Sequence, residues 1–163
     1  MIVVRELSVE NWAEWRALRL AALREDPGAF SSTLADWQGE GDAEPRWRAR
    51  LREVSLNVLA DLDGVPAGMV SGHLSERGDK AELLSMWVAP SARGRGVGDA
   101  LVRAVVRWSE GRGAGELALR VAGGNEHAMA LYERHGFVER PLSGPSECEH
   151  EMVRKHTERD GRL

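Results

Sequence analysis

The sequence predicts an α/β (α+β) chain wrapped around one mixed sheet, and three observations carry that expectation. Segments of strand and helix character succeed one another in the order β-α-α-β-β-β-α-β-α-β-β, which suits helices layered on a sheet. Asp63-Gly64 joins two β-like runs; this dipeptide tolerates the positive φ angles of a tight hairpin. The near-continuously apolar run "KAELLSMWVAP", Lys80 to Pro90, reads as a central strand covered on both faces.

Each element follows from local pattern. "IVVRELS" is a short first strand. "SVENWAEWRALRLAALRED" is a helix, with Ser8 and Asn11 at its start and apolar residues at Trp12, Trp15, Leu18 and Ala22. Pro27 and Gly28 end it. From Phe30 to Val54 the pattern breaks into two short helical pieces about a Gly/Asp loop, Gly39 to Glu44, with Pro45 opening the second. This stretch is no linker, because Phe30, Leu34, Trp37 and Trp47 all call for burial. Two strands flank Asp63-Gly64, and Gly78-Asp79 marks the turn into the third. From Val97 to about Gly111, Val97, Leu101, Val105 and Trp108 form one helical stripe. "GELALRVA" is a strand, and "NEHAMALYERHG" is a helix capped by Asn125 and stopped by Gly136. "FVERP" and "CEHEMVRKH" close the sheet, and "TERDGRL" is expected to fray.

Bulk properties exclude several classes. The 163 residues are 42% hydrophobic and 29% charged, enough for a buried core without disulfide or metal support. One domain, 1–163, is expected. The net charge of −4, with both signs interspersed, gives no sign of a nucleic-acid partner. Cys148 is the only cysteine, so no internal disulfide forms and a reducing cytoplasm fits. No apolar run reaches the roughly 18 residues of a membrane span, and the first residues lack a signal-peptide core.

The junction "VAPSARGRGVGDALVRAVVRW", Val88 to Trp108, sets three glycines and two arginines between a strand and a helix. Free backbone N–H groups at a helix start, with the helix dipole behind them, attract anions. Glycines let the backbone approach a phosphate, and Arg93 and Arg95 add bidentate donors. A solvated basic turn is the plainer alternative. The P-loop pattern fails for want of Lys-Ser or Lys-Thr, and the dinucleotide pattern meets Asp99 where its third glycine belongs. Neither ATP nor NAD is favoured.

Arg93-x-x-Gly96-x-Gly98, preceded by "MWVAP", resembles the loop by which the GNAT superfamily of N-acetyltransferases holds the pyrophosphate of acetyl-CoA. "NEHAMALYERHGF", Asn125 to Phe137, is similar to that family's second signature block. Together the blocks span about half the chain, with core motifs over 67–138. The resemblance implies a mostly antiparallel sheet of about six to seven strands, splayed at its centre and flanked by about four helices. It also implies that acetyl-CoA is the cosubstrate, with no metal, and that Met86, Trp87, Val88, Arg93, Gly94, Arg95, Gly96, Val97, Gly98, Asp99, Asn125 and Tyr132 contact it. Residues 8–52 would shape the acceptor site, with a loop flanked by Trp37 and Trp47 beside it, so that either indole could line it. Family members commonly dimerise, which leaves a homodimer open.

Acetyl transfer to an amine needs a neutral nucleophile, donors for the charge developing on the thioester oxygen, and a proton for the departing thiolate. Glu82, an acid in an apolar strand, is the candidate base, and burial is expected to raise its pKa. Histone-type family members carry a base Glu at the matching place. The alternative is a solvated or paired Glu at a strand start. Members that acetylate ribosomal-protein N-termini place their base five residues before the signature Asn; here that residue is Arg120, which argues against that mechanism and substrate class. The resemblance assigns the oxygen-binding role to the main-chain N–H groups of Met86 and Val88. Tyr132, the only tyrosine, is the candidate acid, or else a core tyrosine with a wet hydroxyl. Asn125 reads as a helix cap that also reaches the cosubstrate.

Other signals carry less. The five histidines lack metal-ligand spacing, and Ser71 in "GMVSGH" is not a nucleophile elbow. His73 and His150 suit structural roles, though both could face the acceptor cleft. The expected reaction is acetyl transfer to a primary amine, a small molecule rather than a protein, by direct attack. A non-catalytic acyl-CoA-binding domain of the same fold is the rival, and a nucleotide-binding use of the loop a third reading.

Overall fold

The computed structural model describes residues 1–26, 33–141 and 149–156. Pro27-Gly28, Phe30, Cys148 and the tail 157–163, on which the sequence placed expectations, lie outside the described residues.

Among the described residues seven strands form one sheet: β1 Ile2–Glu6, β2 Leu56–Leu62, β3 Val65–Leu74, β4 Lys80–Val88, β5 Glu116–Ala122, β6 Val138–Arg140 and β7 Glu149–Lys155. Their order is β1-β2-β3-β4-β5-β7-β6. Every neighbouring pair is antiparallel except β4 and β5. Four α-helices accompany them: α1 Trp12–Glu25, α2 Glu44–Glu53, α3 Val97–Gly111 and α4 Glu126–Arg134. None of these helices is long and apolar enough to cross a membrane.

Local chemistry explains the boundaries. Asp63 and Gly64 take φ of 51° and 82°, the mirror-image turn that matches strand twist, and Leu62 faces Val65 across it. Ahead of α1, the Ser8 amide donates to Asn11 Oδ1 at 2.9 Å in a capping box. The first of the two helical pieces expected from Phe30 to Val54 is, among the described residues, only a 3₁₀ turn, Leu34–Trp37. A capping box between Thr33 and Asp36 closes it, and Gly39 at φ 60° turns the chain away before a second turn of helix can form. Pro45 then sits in the first turn of α2, as its missing N–H allows.

The sheet is buried on both faces. Leu56, Val58 and Ala60 of β2 pack with Leu101, Val105, Tyr132 and Phe137 on the side of α3 and α4. Leu59 of β2 and Met69 of β3 pack with Trp15, Trp47 and Trp87 on the side of α1 and α2. Two glycines of β3 bring α3 close: a Cβ on Gly68 would lie 2.9 Å from Leu101, and one on Gly72 would lie 2.7 Å from the Trp108 ring.

β4 contains the feature that opens the molecule. Ser85 is a non-glycine residue at φ 56°, and the β3–β4 register slips between Met69 and Ser71. This is a bulge, which bends the strand and raises its twist. β4 and β5 pair only at Lys80–Glu116, Ala81–Leu117 and Glu82–Ala118. Both strands continue, to Val88 and Ala122, without pairing, so the centre of the sheet splays.

Asp42 locks α2 against α1. Arg16 Nε donates to its carboxylate at 2.7 Å and Trp47 Nε1 at 2.8 Å. These two hydrogen bonds, Arg16 first, hold Asp42 at about 2, below its ordinary 3.8. A depressed acid contributes stability that is present above the unfolded value and lost as pH falls through the folded one. Stability is therefore expected to decline between pH 3.8 and about 2 partly through this group. Urea titrations across that window should give a shallower acid limb in Asp42→Asn, and an unchanged limb would dismiss the assignment.

Candidate functional site

The splay opens into a cavity of about 1260 Å³ walled by β4, β5, the glycine turn and α4. Its walls include Glu82, Met86, Trp87, Val88, Arg93, Gly94, Gly96, Gly98, Asp99, Asn125 and Tyr132. Eleven of the thirteen residues singled out from sequence thus meet at one opening. The cavity is large enough for a ligand of several hundred Å³.

The main chain of β4 supplies its donors. Ala89 N–H donates to Ala67 O at 2.8 Å, so that amide points at β3. Amides alternate in direction along an extended strand, which turns the Val88 N–H, and that of Met86 two residues earlier, toward the β5 side. No β5 residue pairs with β4 at that level.

Gly94 and Gly96 take φ of 75° and 89°, and Gly96 is the N-cap of α3. At Gly94 a Cβ would meet nothing, so the turn demands glycine for its backbone angle rather than for lack of room. Gly98 is different: a Cβ there would lie 3.2 Å from Leu131 of α4 and 3.6 Å from Met86. The first amides of α3, on Val97, Gly98 and Asp99, have no partner within the helix and carry its positive dipole end.

The arginines of the turn diverge. Arg93 is on the cavity wall, where Nε donates to Val88 O at 3.1 Å and Nη2 to Glu25 Oε2 at 3.0 Å. Trp87 Nε1 donates to the same Glu25 oxygen at 2.9 Å, and that bond, then Arg93, holds the Glu25 carboxyl below its usual range. Arg95 is not on the wall; its guanidinium is 3.6 Å from Asp63. The expectation of two arginines facing one phosphate site therefore holds in position for Arg93 alone. The Val97 side chain is also absent from the wall, being buried against Gly68 in the core, and it can offer a ligand only its main-chain N–H.

Asp99 is tied to α4 by His135 at 2.8 Å and Arg134 at 3.2 Å. Burial opposes its charge, but these two hydrogen bonds bring the carboxyl below its usual range. Asn125 caps α4, its Oδ1 accepting from Ala128 N–H at 3.1 Å, as the sequence indicates. Tyr132 is 5% exposed and meets Phe137 edge-on, with ring centroids 5.8 Å apart. Burial pushes its phenol well above the ordinary value, so the hydroxyl keeps its proton throughout the neutral and mildly alkaline range.

Two expectations need correction. Glu82 is exposed, not buried. Ala81 and Leu83 take the core face, so alternation sends Glu82 to the other face at the last paired position before the splay. Trp37 and Trp47 do not line the cavity; they stack with centroids 4.2 Å apart, both buried between α1 and α2. Of the histidines, His73 lies on the cavity wall opposite Glu82 in register. His150 instead contacts Glu139, away from it. Arg120 is also on the wall, 3.7 Å from Glu149.

Several polar wall residues were not singled out from sequence, three of them on the side of α1 and α2. Arg19 of α1, Arg50 of α2 and Ser85 of the bulge all face the cavity. A signal for the two arginines was present: Arg19 follows Trp15 by one helical turn and Arg50 follows Trp47 by nearly one, so both occupy apolar stripes.

Comparison with known proteins agrees with this architecture. The model of the acetyltransferase (GNAT) family matches residues 12–137. Mycothiol acetyltransferase of Streptomyces coelicolor is 33% identical over 128 residues, 77% of this chain and 39% of that protein. Streptothricin acetyltransferase of Streptomyces lavendulae is 35% identical over 81 residues, 50% of this chain and 43% of that protein. The chain thus spans about two-fifths of the length of the curated relatives it matches. Among solved structures, PaiA N-acetyltransferase of Thermoplasma acidophilum in complex with coenzyme A superposes with a TM-score of 0.75 at 19% identity, covering 96% of this chain and 99% of that one.

Proposed function

Since the chain belongs to the acetyltransferase (GNAT) family, we propose that it transfers an acetyl group from acetyl-CoA to a primary amine of a small molecule, by direct attack and without an acyl-enzyme. The observation that carries the reading is the splay. β4 and β5 part after Glu82 and Ala118, and the amides of Met86 and Val88 face a cavity that also receives Tyr132 and the glycine turn.

The residues divide the work. The turn at Gly94 and Gly96, the first amides of α3 and the Arg93 side of the wall hold the diphosphate. The amides of Met86 and Val88 receive the charge that develops on the thioester oxygen, in a site pre-organised by strand geometry. Glu82, at the apex of the splay, accepts the proton of the amine directly or through water. Tyr132 returns a proton to the leaving thiolate. The structural neighbour solved with coenzyme A supports the choice of cosubstrate.

Release of free CoA thiol, followed with a panel of primary amines, tests the activity, and calorimetry tests the cosubstrate. Acetyl-CoA should bind in preference to ATP and NAD and be consumed with at least one amine. Tight binding without turnover on any amine, and no effect of Tyr132→Phe, would leave the rival reading of an acyl-CoA-binding domain. Tighter binding of ATP or NAD would overturn the assignment.

A further inference from the structure

On the α1 and α2 side of the cavity the wall is cationic. Arg50 reaches it from α2, and each hydrogen-bond acceptor it uses is neutral: Asn57 Oδ1 at 2.9 Å, Ser71 Oγ at 3.1 Å and Ser85 Oγ at 3.4 Å. Its guanidinium also lies 5.1 Å over the Trp15 ring. No carboxylate of the described residues stands within 4.0 Å of it; Glu53 acts only at longer range. Arg19, 6% exposed, lines the same cavity, near enough for the two charges to repel. Burial brings Arg50 down to about 10, and burial with repulsion from Arg50 does the same to Arg19.

Holding the Arg50 guanidinium in a partly desolvated wall, with neutral acceptors only, costs free energy in the empty protein. Neutral acceptors fix the direction of Arg50 without cancelling its charge. Asn57 and Ser71 are themselves buried and bonded to each other at 2.8 Å, so the scaffold behind Arg50 is rigid. A planar fork held this way matches a carboxylate with two parallel hydrogen bonds.

Resting on the acetyl-transfer reading, we infer that the acceptor is an anionic amine whose carboxylate docks on Arg50 while its amino group faces the splay between β4 and β5. Ser85, which Arg50 touches, is one residue from Met86 and three from Val88. At about 3.3 Å per residue the anion site and the reacting carbonyl are roughly 3–10 Å apart along β4. The class is therefore a small amino acid, with few bonds between carboxylate and amine. Glu82 and His73 stand opposite one another on the same wall.

Matched pairs test this without any variant: L-alanine against L-alaninamide, β-alanine against β-alaninamide, and γ-aminobutyrate against its amide. The carboxylates should be favoured in kcat/KM by about tenfold to a hundredfold, the range of a charged hydrogen bond. In Arg50→Gln the preference should fall toward one, mostly through KM, and Arg50→Lys should keep part of it. Equal or better use of the amides overturns the inference while leaving acetyl transfer standing. Should no amine release CoA, the transfer reading fails instead. Calorimetry of the same pairs on CoA-loaded protein then decides the anion site, and equal binding within pairs overturns it. A second arm compares succinyl-CoA with acetyl-CoA. A succinyl preference that vanishes in Arg50→Gln, with no discrimination among acceptors, would move the anion to the donor and overturn the assignment to the acceptor.

Discussion

Replacing Tyr132 by phenylalanine is expected to lower kcat by about a hundredfold, the lower end of what a positioned general acid supplies, with acetyl-CoA affinity within a few-fold of the parent. The substitution removes one oxygen and keeps the ring, so the edge-on contact with Phe137 at 5.8 Å survives. Stability should change little, and the effect should appear in kcat rather than KM. The pH dependence separates a proton donor from a mere packing residue. Burial pushes the Tyr132 phenol above its ordinary value, so it remains protonated well past neutrality and sets no alkaline limb in the parent enzyme. Any loss of rate in Tyr132→Phe should therefore be uniform from pH 7 to 9. An acceptor panel whose kcat is untouched by the substitution would remove Tyr132 from the chemistry and leave it a core residue. A loss expressed mainly in KM for acetyl-CoA would make it a binding residue instead.

What could be read from sequence was whatever short-range chemistry decides. Asp63-Gly64 makes its hairpin because those two residues accept positive φ, and nothing distant needs to be known. Asn125 caps α4 because an Asn side chain reaches the amide three residues on. The stripe of Val97, Leu101 and Val105 faces the core because helical periodicity requires it. The splay was implied only by resemblance, since its physical cause is not local. It coincides with a slip of the β3–β4 register and with Ser85 at φ 56°, an angle uncommon outside glycine. The burial expected of Glu82 fails for a local reason. An acid flanked by Ala81 and Leu83 looks buried in a list of residues, but alternation places those neighbours on the opposite face. The resemblance leaves Trp37 or Trp47 open as a lining residue because both flank a loop beside the acceptor site, whereas their apolar surface is satisfied by stacking on each other. Arg50 was invisible for a further reason. Its role rests on Asn57, Ser71 and Ser85, which come from three different strands.

Trp47→Ala should destabilise the protein by about 3–5 kcal/mol, the cost of removing a large aromatic side chain from a core. Trp47 is 0% exposed and packs in a cluster with Trp15, Leu59, Met69 and Trp87. It also stacks on Trp37 and donates to Asp42. Truncation opens a cavity, removes the stacking partner of Trp37 and takes one hydrogen bond from Asp42. The expected readings are a urea midpoint lower by about 2 M and a Tm lower by about 10 °C. A loss below about 1 kcal/mol would mean that α2 is not held through this indole. Trp47→Phe divides the effect, since it keeps most of the ring but not the N–H. The acid limb assigned to Asp42 should become shallower in Trp47→Phe, and a double-mutant cycle with Asp42→Asn should show coupling. The consequence reaches the cavity, because Arg50 is three residues along α2 from Trp47. If α2 is what aims the guanidinium, a folded Trp47→Phe enzyme should lose part of its preference for carboxylate-bearing acceptors although Arg50 is intact. Retention of the full preference would assign the aiming to Asn57 and Ser71 alone.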